Sequence, residues 1–233
     1  FGDGRTNGQV AVRASWGIQR HLGSVYGDGR FLEHADQILA ANQGTIQEAT
    51  SLYSPLSFLT PPTFSGDGLP ESAARLFKDI GWLVIRTNLR DPSRDIRFMM
   101  RCSPYGSTSH AHGDQNSFSL EAFGEPLAIP SGLYELYSSA HHHGWTRQTR
   151  AQNGMTFDGA GQIVRSMESV GHFTHFYTDS NFTYAEGDAS AAYGDRVKDY
   201  RRMVLCLDNR FFVLIDQFCL LYTSPSPRDL STS

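Results

Sequence analysis

No run of about 18 apolar residues occurs in the sequence, so no membrane-spanning helix is expected. Cysteine is scarce. Cys102, Cys206 and Cys219 show no C-x-x-C spacing, which argues against a zinc knuckle or a dense disulfide framework. Positive charge is not in excess: 20 Lys and Arg stand against 24 Asp and Glu, for a net charge of −4. That balance argues against nucleic-acid binding, and any acidic ligand must be met by a local basic cluster. There is no internal repeat and no alternation of helix and strand patterns, so a parallel α/β sheet is not expected. An initiator Met and a charged-then-apolar leader are also missing, as in a processed chain or a fragment. What is present is ordinary for a globular protein: 233 residues, 39% hydrophobic and 19% charged, enough for one large domain or one domain and part of another.

Residues 9–22 read as a moderately amphipathic helix. Residues 29–41 read more clearly, because Phe31, Leu32, Ala35, Ile38 and Leu39 fall on one helical face. Asp28 is the expected N-cap, and Asn42 with Gly44 the expected stop. A third helix is expected over 45–52. Prolines then mark residues 55–70 as a linker. From about Arg75 the pattern turns to strands. Trp82, Val84 and Arg86 alternate with Leu83, Ile85 and Thr87, and Ile96 to Met100 forms another run. Further strand-like pieces lie near 116–123, 126–129, 154–157, 161–168, 172–177, 181–186, 200–207 and 210–218. Asp208-Asn209 between the last two reads as a two-residue hairpin turn. The expected fold is mainly β, an antiparallel sandwich or sheet stack. Residues 219–233 read as a polar, Pro/Ser-rich tail that is disordered or a cloning artefact.

The stretch Arg101 to Phe118, R-C-S-P-Y-G-S-T-S-H-A-H-G-D-Q-N-S-F, concentrates chemistry. In extended backbone, positions i and i+2 point the same way, so His110 and His112 are expected to share a face. Asp114, Gln115 and Asn116 follow at once. A surface loop with two ordinary histidines is the plain alternative, because a bare H-x-H is common. A second cluster holds His141, His142, His143, Trp145, Arg147 and Arg150. An indole face beside guanidinium groups suits a sugar ring carrying carboxylate or sulfate. The alternative is a Trp that anchors its loop, with solvated arginines. Three adjacent histidines cannot all face one ion, so one at most is expected to matter. His172 and His175 form a third pair, most simply exposed positions of a strand.

The run from His110 to Asp114 is similar to the H-x-H-x-D opening of metallo-β-lactamase-like hydrolases, with His172 as a downstream ligand. That motif continues with a further His where this chain has Gln115.

A longer match exists. The Arg101–Phe118 stretch resembles the core motif of the heparinase II/III-like polysaccharide lyases, relatives of the oligoalginate lyases. The resemblance continues through G-E-P-L-A-I at Gly124, S-G-L-Y at Ser131, H-H-G-W-T-R-Q-T-R-A-Q-N at His142, D-G-A-G-Q at Asp158 and G-D-A-S-A-A-Y at Gly187. It spans roughly residues 69–218, in order.

This resemblance implies an (α/α) toroid ending within residues 1–62 and an antiparallel sandwich over 63–218, with a cleft between them. It implies β-elimination on a uronic-acid polysaccharide, alginate or a glycosaminoglycan, in the cell envelope, the periplasm or outside the cell. His110 matches the family's active histidine. Gln115 and Asn116 are expected to hold the loop or to bind the sugar, and Trp145, Arg147 and Arg150 are the expected substrate-side residues. His112 matches a structural zinc ligand of some members. The other ligand positions are Pro130 and Gln152 here, and neither is a normal zinc ligand. The family's catalytic Tyr and a further His or Asn fall before residue 1, so this chain is not expected to catalyse alone. A sandwich that binds glycans without cleaving them is the alternative.

Overall fold

A computed structural model of the chain describes residues 19, 22–23, 26, 28–41, 70–131 and 136–221. The chain divides into two compact units, Arg5–Glu71 and a second made chiefly of Ser72–Ser233. In the first, helix α1 spans Gly29–Ala41. Asp28 caps it: its Oδ1 accepts the Arg30 backbone N–H at 3.0 Å, and the Arg30 side chain returns to the same carboxylate. That side-chain bond, then the backbone one, hold the Asp28 carboxyl below its usual pKa. Ala35, on the apolar face, is fully buried. Most of the helix expected over 9–22, the one over 45–52, nearly all of the linker and the tail from Tyr222 lie outside the described residues.

The second unit is two antiparallel sheets. One runs β1 (Ala73–Phe77), β2 (Trp82–Arg86), β3 (Ile96–Arg101), β4 (Ser117–Ala122) and β5 (Glu125–Ala128), paired in chain order. The other runs β6 (His172–Thr178), β7 (Phe182–Asp188), β8 (Val197–Leu207) and β9 (Phe211–Leu220), also in chain order. The alternation of β2 places Leu83 and Ile85 inward, and that of β3 places Phe98 and Met100 beside them. From the other sheet come Ala185, Val204 and Cys206, closing one core. Phe98 stacks on Phe118 and Phe212 at ring-centroid distances of 5.7 and 5.4 Å, so it joins both layers. Truncating such a side chain to Ala costs about 3–5 kcal/mol.

Phe123 and Gly124 both have positive φ and make the two-residue β4–β5 turn. Asp208 and Asn209 are left-handed too, but Leu207 pairs with Phe211, so the β8–β9 loop includes Arg210 and has three residues. Two expected strands are absent. At 154–157 only an isolated Phe157–Ala160 bridge forms, and 161–168 is loop. The alternation there records single anchors, such as Phe157 packed on Tyr193 and Tyr200, and not a pleat. At the other end, β9 continues to Leu220, because Tyr200 pairs with Phe218 and Val197 with Leu220. Residues 219 and 220 therefore belong to the sheet, not to the tail.

Candidate active site

The site is built on two long connections, β3 to β4 and β5 to β6. Arg101, the last residue of β3, forms a buried ion pair with Asp114 and donates to the Gly106 carbonyl at 3.2 Å. This clasp closes the first connection on itself. Gln115 locks it further. Its side chain accepts from Ser103 N–H and donates to the carbonyls of Ser103 and Ser169, at 2.7–3.0 Å. Asn116 takes a left-handed φ of 56°, donates to the Gly187 carbonyl at 2.8 Å and passes the chain into β4. Arg202, held by Asp216, donates to the Asn116 carbonyl at 2.6 Å.

Between these clasps the chain turns sharply. Ser109 has φ 54°, and the Ala111 N–H closes a turn on the Thr108 carbonyl at 3.0 Å. The extended geometry expected for 109–112 therefore does not form, and the two histidines part. His110 is exposed, whereas His112 is buried at 2% exposure.

The second connection folds over this turn through a π-helical turn, His142–Thr146, and a 3-10 turn, Thr149–Ala151. It lays a row of rings beside His110. Tyr137 packs on His110 at 4.7 Å, His142 on Tyr137 at 4.9 Å, and His143 on His142 at 5.3 Å. His142 is fully buried and accepts the Ser138 N–H on Nδ1 at 2.9 Å.

Arg147 is the cation of this row. It is 1% exposed and donates from Nη2 to the Ser109 carbonyl at 2.6 Å. The same nitrogen lies 3.3 Å from His142 Nε2, and Cζ stands 5.8 Å from the Tyr137 ring centre. Its Nε is buried with no hydrogen-bond partner. Arg165 places Nη2 at 3.0 Å from both ring nitrogens of His143. Partial burial, then the charges of Arg165 and Arg147, hold the His143 pKa below its ordinary value. An exposed imidazole and a phenol thus lie in one row of rings with a buried guanidinium, Arg147, and an exposed one, Arg165.

The comparisons agree with this architecture. The family model described as Heparinase II/III-like, C-terminal, matches residues 69–223. The chain belongs to the heparinase II/III-like family. Curated protein sequences give no match. Among solved structures, heparan sulfate lyase HepC from Pedobacter heparinus is similar with a TM-score of 0.63 and 18% identity, over 94% of this chain and 29% of that one. A heparinase III structure is similar at 0.52 and 20% identity, over 67% of this chain and 24% of that one. At these identities the likeness establishes the fold. The chain spans under a third of the length of either structure.

Set against the heparinase-like motif, the expected site residues separate. Gln115 and Asn116 are fully buried; Gln115 bonds the carbonyls of Ser103 and Ser169 and Asn116 that of Gly187 on β7, so of the two expected roles they take that of holding the loop. Arg147 and Arg150 diverge. Arg147 turns inward to the ring row, while Arg150 is exposed, lies 5.3 Å from the Trp145 ring and donates to the Gly144 carbonyl at 2.5 Å. Trp145 donates from Nε1 to Ser131 Oγ at 2.5 Å and keeps 38% of its surface exposed. A cavity of about 270 Å³ adjoins Arg150, lined by Gln148, Thr156 and Gly159 among others. His172 and His175 sit on β6, and His175 lies 3.5 Å from the Glu186 carboxylate. Their all-antiparallel setting removes the basis for the metallo-hydrolase likeness. Of the three consecutive histidines, His142 and His143 join the ring row.

Zinc takes imidazole, thiolate and carboxylate ligands. Here His112 Nδ1 lies 3.1 Å from Gln152 Nε2, which also donates to the Thr146 carbonyl at 2.9 Å. Pro130 has no donor atom in its side chain. Among the described residues no three His, Cys, Asp or Glu side chains stand close enough to hold a metal. The residues around His112 do not fit the family's structural zinc.

Proposed function

We propose that this chain is the sandwich part of a polysaccharide lyase that cleaves a uronic-acid polymer by β-elimination. In that reaction a base takes the C5 proton and the C–H electron pair becomes the C4=C5 double bond. The C4–O bond breaks, and the leaving oxygen gains that pair and a proton. The step needs the uronate carboxylate neutralised, a base at C5 and an acid at the leaving oxygen.

The observation that carries this reading is His110 standing exposed on Tyr137, with the buried Arg147 guanidinium fixed behind its backbone. His110 is assigned to carboxylate contact or proton transfer. Arg147 sets the position of the turn, and Trp145 with Arg150 offers a stacking face to a neighbouring sugar. The remaining catalytic groups are proposed to come from the helical part of the full-length protein. The enzyme is proposed to work in the cell envelope or outside the cell, where acidic polysaccharides are found. His112 is proposed to act as a hydrogen-bonded strut with Gln152, without zinc.

The test uses the full-length protein on alginate, heparin and heparan sulfate. Wild type should release products with the ultraviolet absorbance of a C4=C5 double bond, and His110→Ala should not, at unchanged melting temperature. Equal product formation by the variant would remove His110 from catalysis. Binding with no cleavage by wild type would favour the glycan-binding alternative.

A further inference from the structure

The ring row does not end at His142. Beyond it His143 carries Arg165, a residue that no motif drew attention to. Arg165 has a left-handed φ of 62°, a conformation that costs a non-glycine residue energy and has to be held in place. Ser107, fully buried, holds it. The Arg165 N–H donates to the Ser107 carbonyl at 3.1 Å, and Ser107 N–H donates to the Ser166 carbonyl at 2.8 Å. Ser107 Oγ donates to the Ile163 carbonyl at 2.9 Å and lies 3.2 Å from the Ser166 N–H. The loop bearing Arg165 is therefore tied to the loop that leads into His110.

Arginine only donates, and a neutral imidazole accepts through one nitrogen. A single Nη2 at 3.0 Å from both ring nitrogens thus lies against the ring, and the rest of the guanidinium fork is not used by His143. Several other arginines are matched by acids: Arg86 by Asp95, Arg101 by Asp114, Arg201 by Asp199 and Arg202 by Asp216. Among the described residues no carboxylate pairs with Arg165 or Arg147. In a protein of net charge −4, the exposed Arg165 guanidinium, with the Arg147 guanidinium buried in the same row of rings, sets a local positive field for anions.

We propose that Arg165, braced on His143, forms an oxyanion subsite that takes the carboxylate or sulfate of a sugar adjoining the one at His110. The identity of the ligand rests on the lyase reading; the anion-binding character rests on the arginine geometry. A planar fork with free donors pairs such oxyanions in bidentate fashion, which Lys cannot reproduce.

The experiment uses the full-length protein with His110→Ala as background, so that ligand is bound without being cleaved. Dissociation constants are measured by calorimetry for an unsulfated uronate tetrasaccharide and for a heparan sulfate tetrasaccharide, with and without Arg165→Ala or Arg165→Gln. Both Arg165 variants should weaken binding about tenfold, the equivalent of one charge-assisted contact, with unchanged melting temperature. Loss confined to the sulfated ligand assigns a sulfate, and loss on both assigns a carboxylate. Unchanged affinity for both ligands, or no binding of either before substitution, overturns the subsite. Weakened binding alongside no unsaturated product from the wild-type protein keeps the subsite and overturns the lyase reading instead.

Discussion

Arg147 donates from Nη2 to the carbonyl of Ser109 at 2.6 Å, and so grips the backbone immediately before His110. Ser109 is left-handed, so the direction of His110 depends on that peptide plane staying where it is. Arg147→Met removes the donor but keeps the bulk. In the full-length enzyme it should lower kcat by about 10²-fold with a smaller change in KM, the mark of lost positioning. Lys should not rescue it, since an ammonium lacks the planar guanidinium that lies 5.8 Å from the Tyr137 ring centre. A variant with wild-type kcat would show that His110 keeps its place without this grip.

The Arg101–Asp114 pair makes a second prediction. Both groups are buried, and Asp114 Oδ2 has no hydrogen-bond partner. Removing one member leaves an uncompensated charge. Asp114→Ala should cost about 3–5 kcal/mol in denaturant unfolding, while replacing both residues with apolar ones should cost much less. If Asp114→Ala unfolds at the wild-type midpoint, the pair does not clasp the loop.

Part of this was legible in the sequence. The face of α1 and the alternation of β2 were readable because each has one face toward a core, and a face toward a core leaves a period. The segments 154–157 and 161–168 misled because isolated anchors imitate that period. His110 was readable as part of a dense polar motif. Gln115 and Asn116 were open between holding the loop and touching sugar; polar residues usually lie outside, yet buried backbone requires buried partners, and these two supply them. His142 stood out only as one of three consecutive histidines, and Tyr137 and Arg165 left no signal of their places in the ring row. Tyr137 meets His110, and Arg165 meets His143, only through the docking of loops distant in sequence, which no local spacing encodes.

The Gln152 amide on His112 predicts independence from metal. Chelation should leave the melting temperature and product formation of the full-length protein unchanged. Gln152→Ala should remove the hydrogen bonds to His112 and Thr146 and cost about 1–3 kcal/mol. Elemental analysis giving one zinc per chain, with loss of stability on chelation, would contradict this.

The last prediction concerns Glu186 on β7, which is 8% exposed. Burial of its carboxyl opposes ionisation. Hydrogen bonds from Thr174 and Tyr184, with the charges of His175 and Arg201, outweigh that, so its folded pKa lies below the ordinary value. A carboxyl held low in the folded state binds fewer protons there than in the unfolded chain, so folding is favoured wherever the unfolded group has ionised. The stabilisation is therefore fully present above the unfolded value, about 4.3, and is lost as pH falls through the lower folded one. Glu186→Gln removes the ionisation. The variant should be less stable than wild type at neutral pH, and the difference should shrink as the medium is acidified, because wild type then loses what the variant never had. Urea midpoints measured between neutral pH and the acid limit of folding check this. A gap that stays constant with pH would show that Glu186 contributes through shape and neutral hydrogen bonds alone.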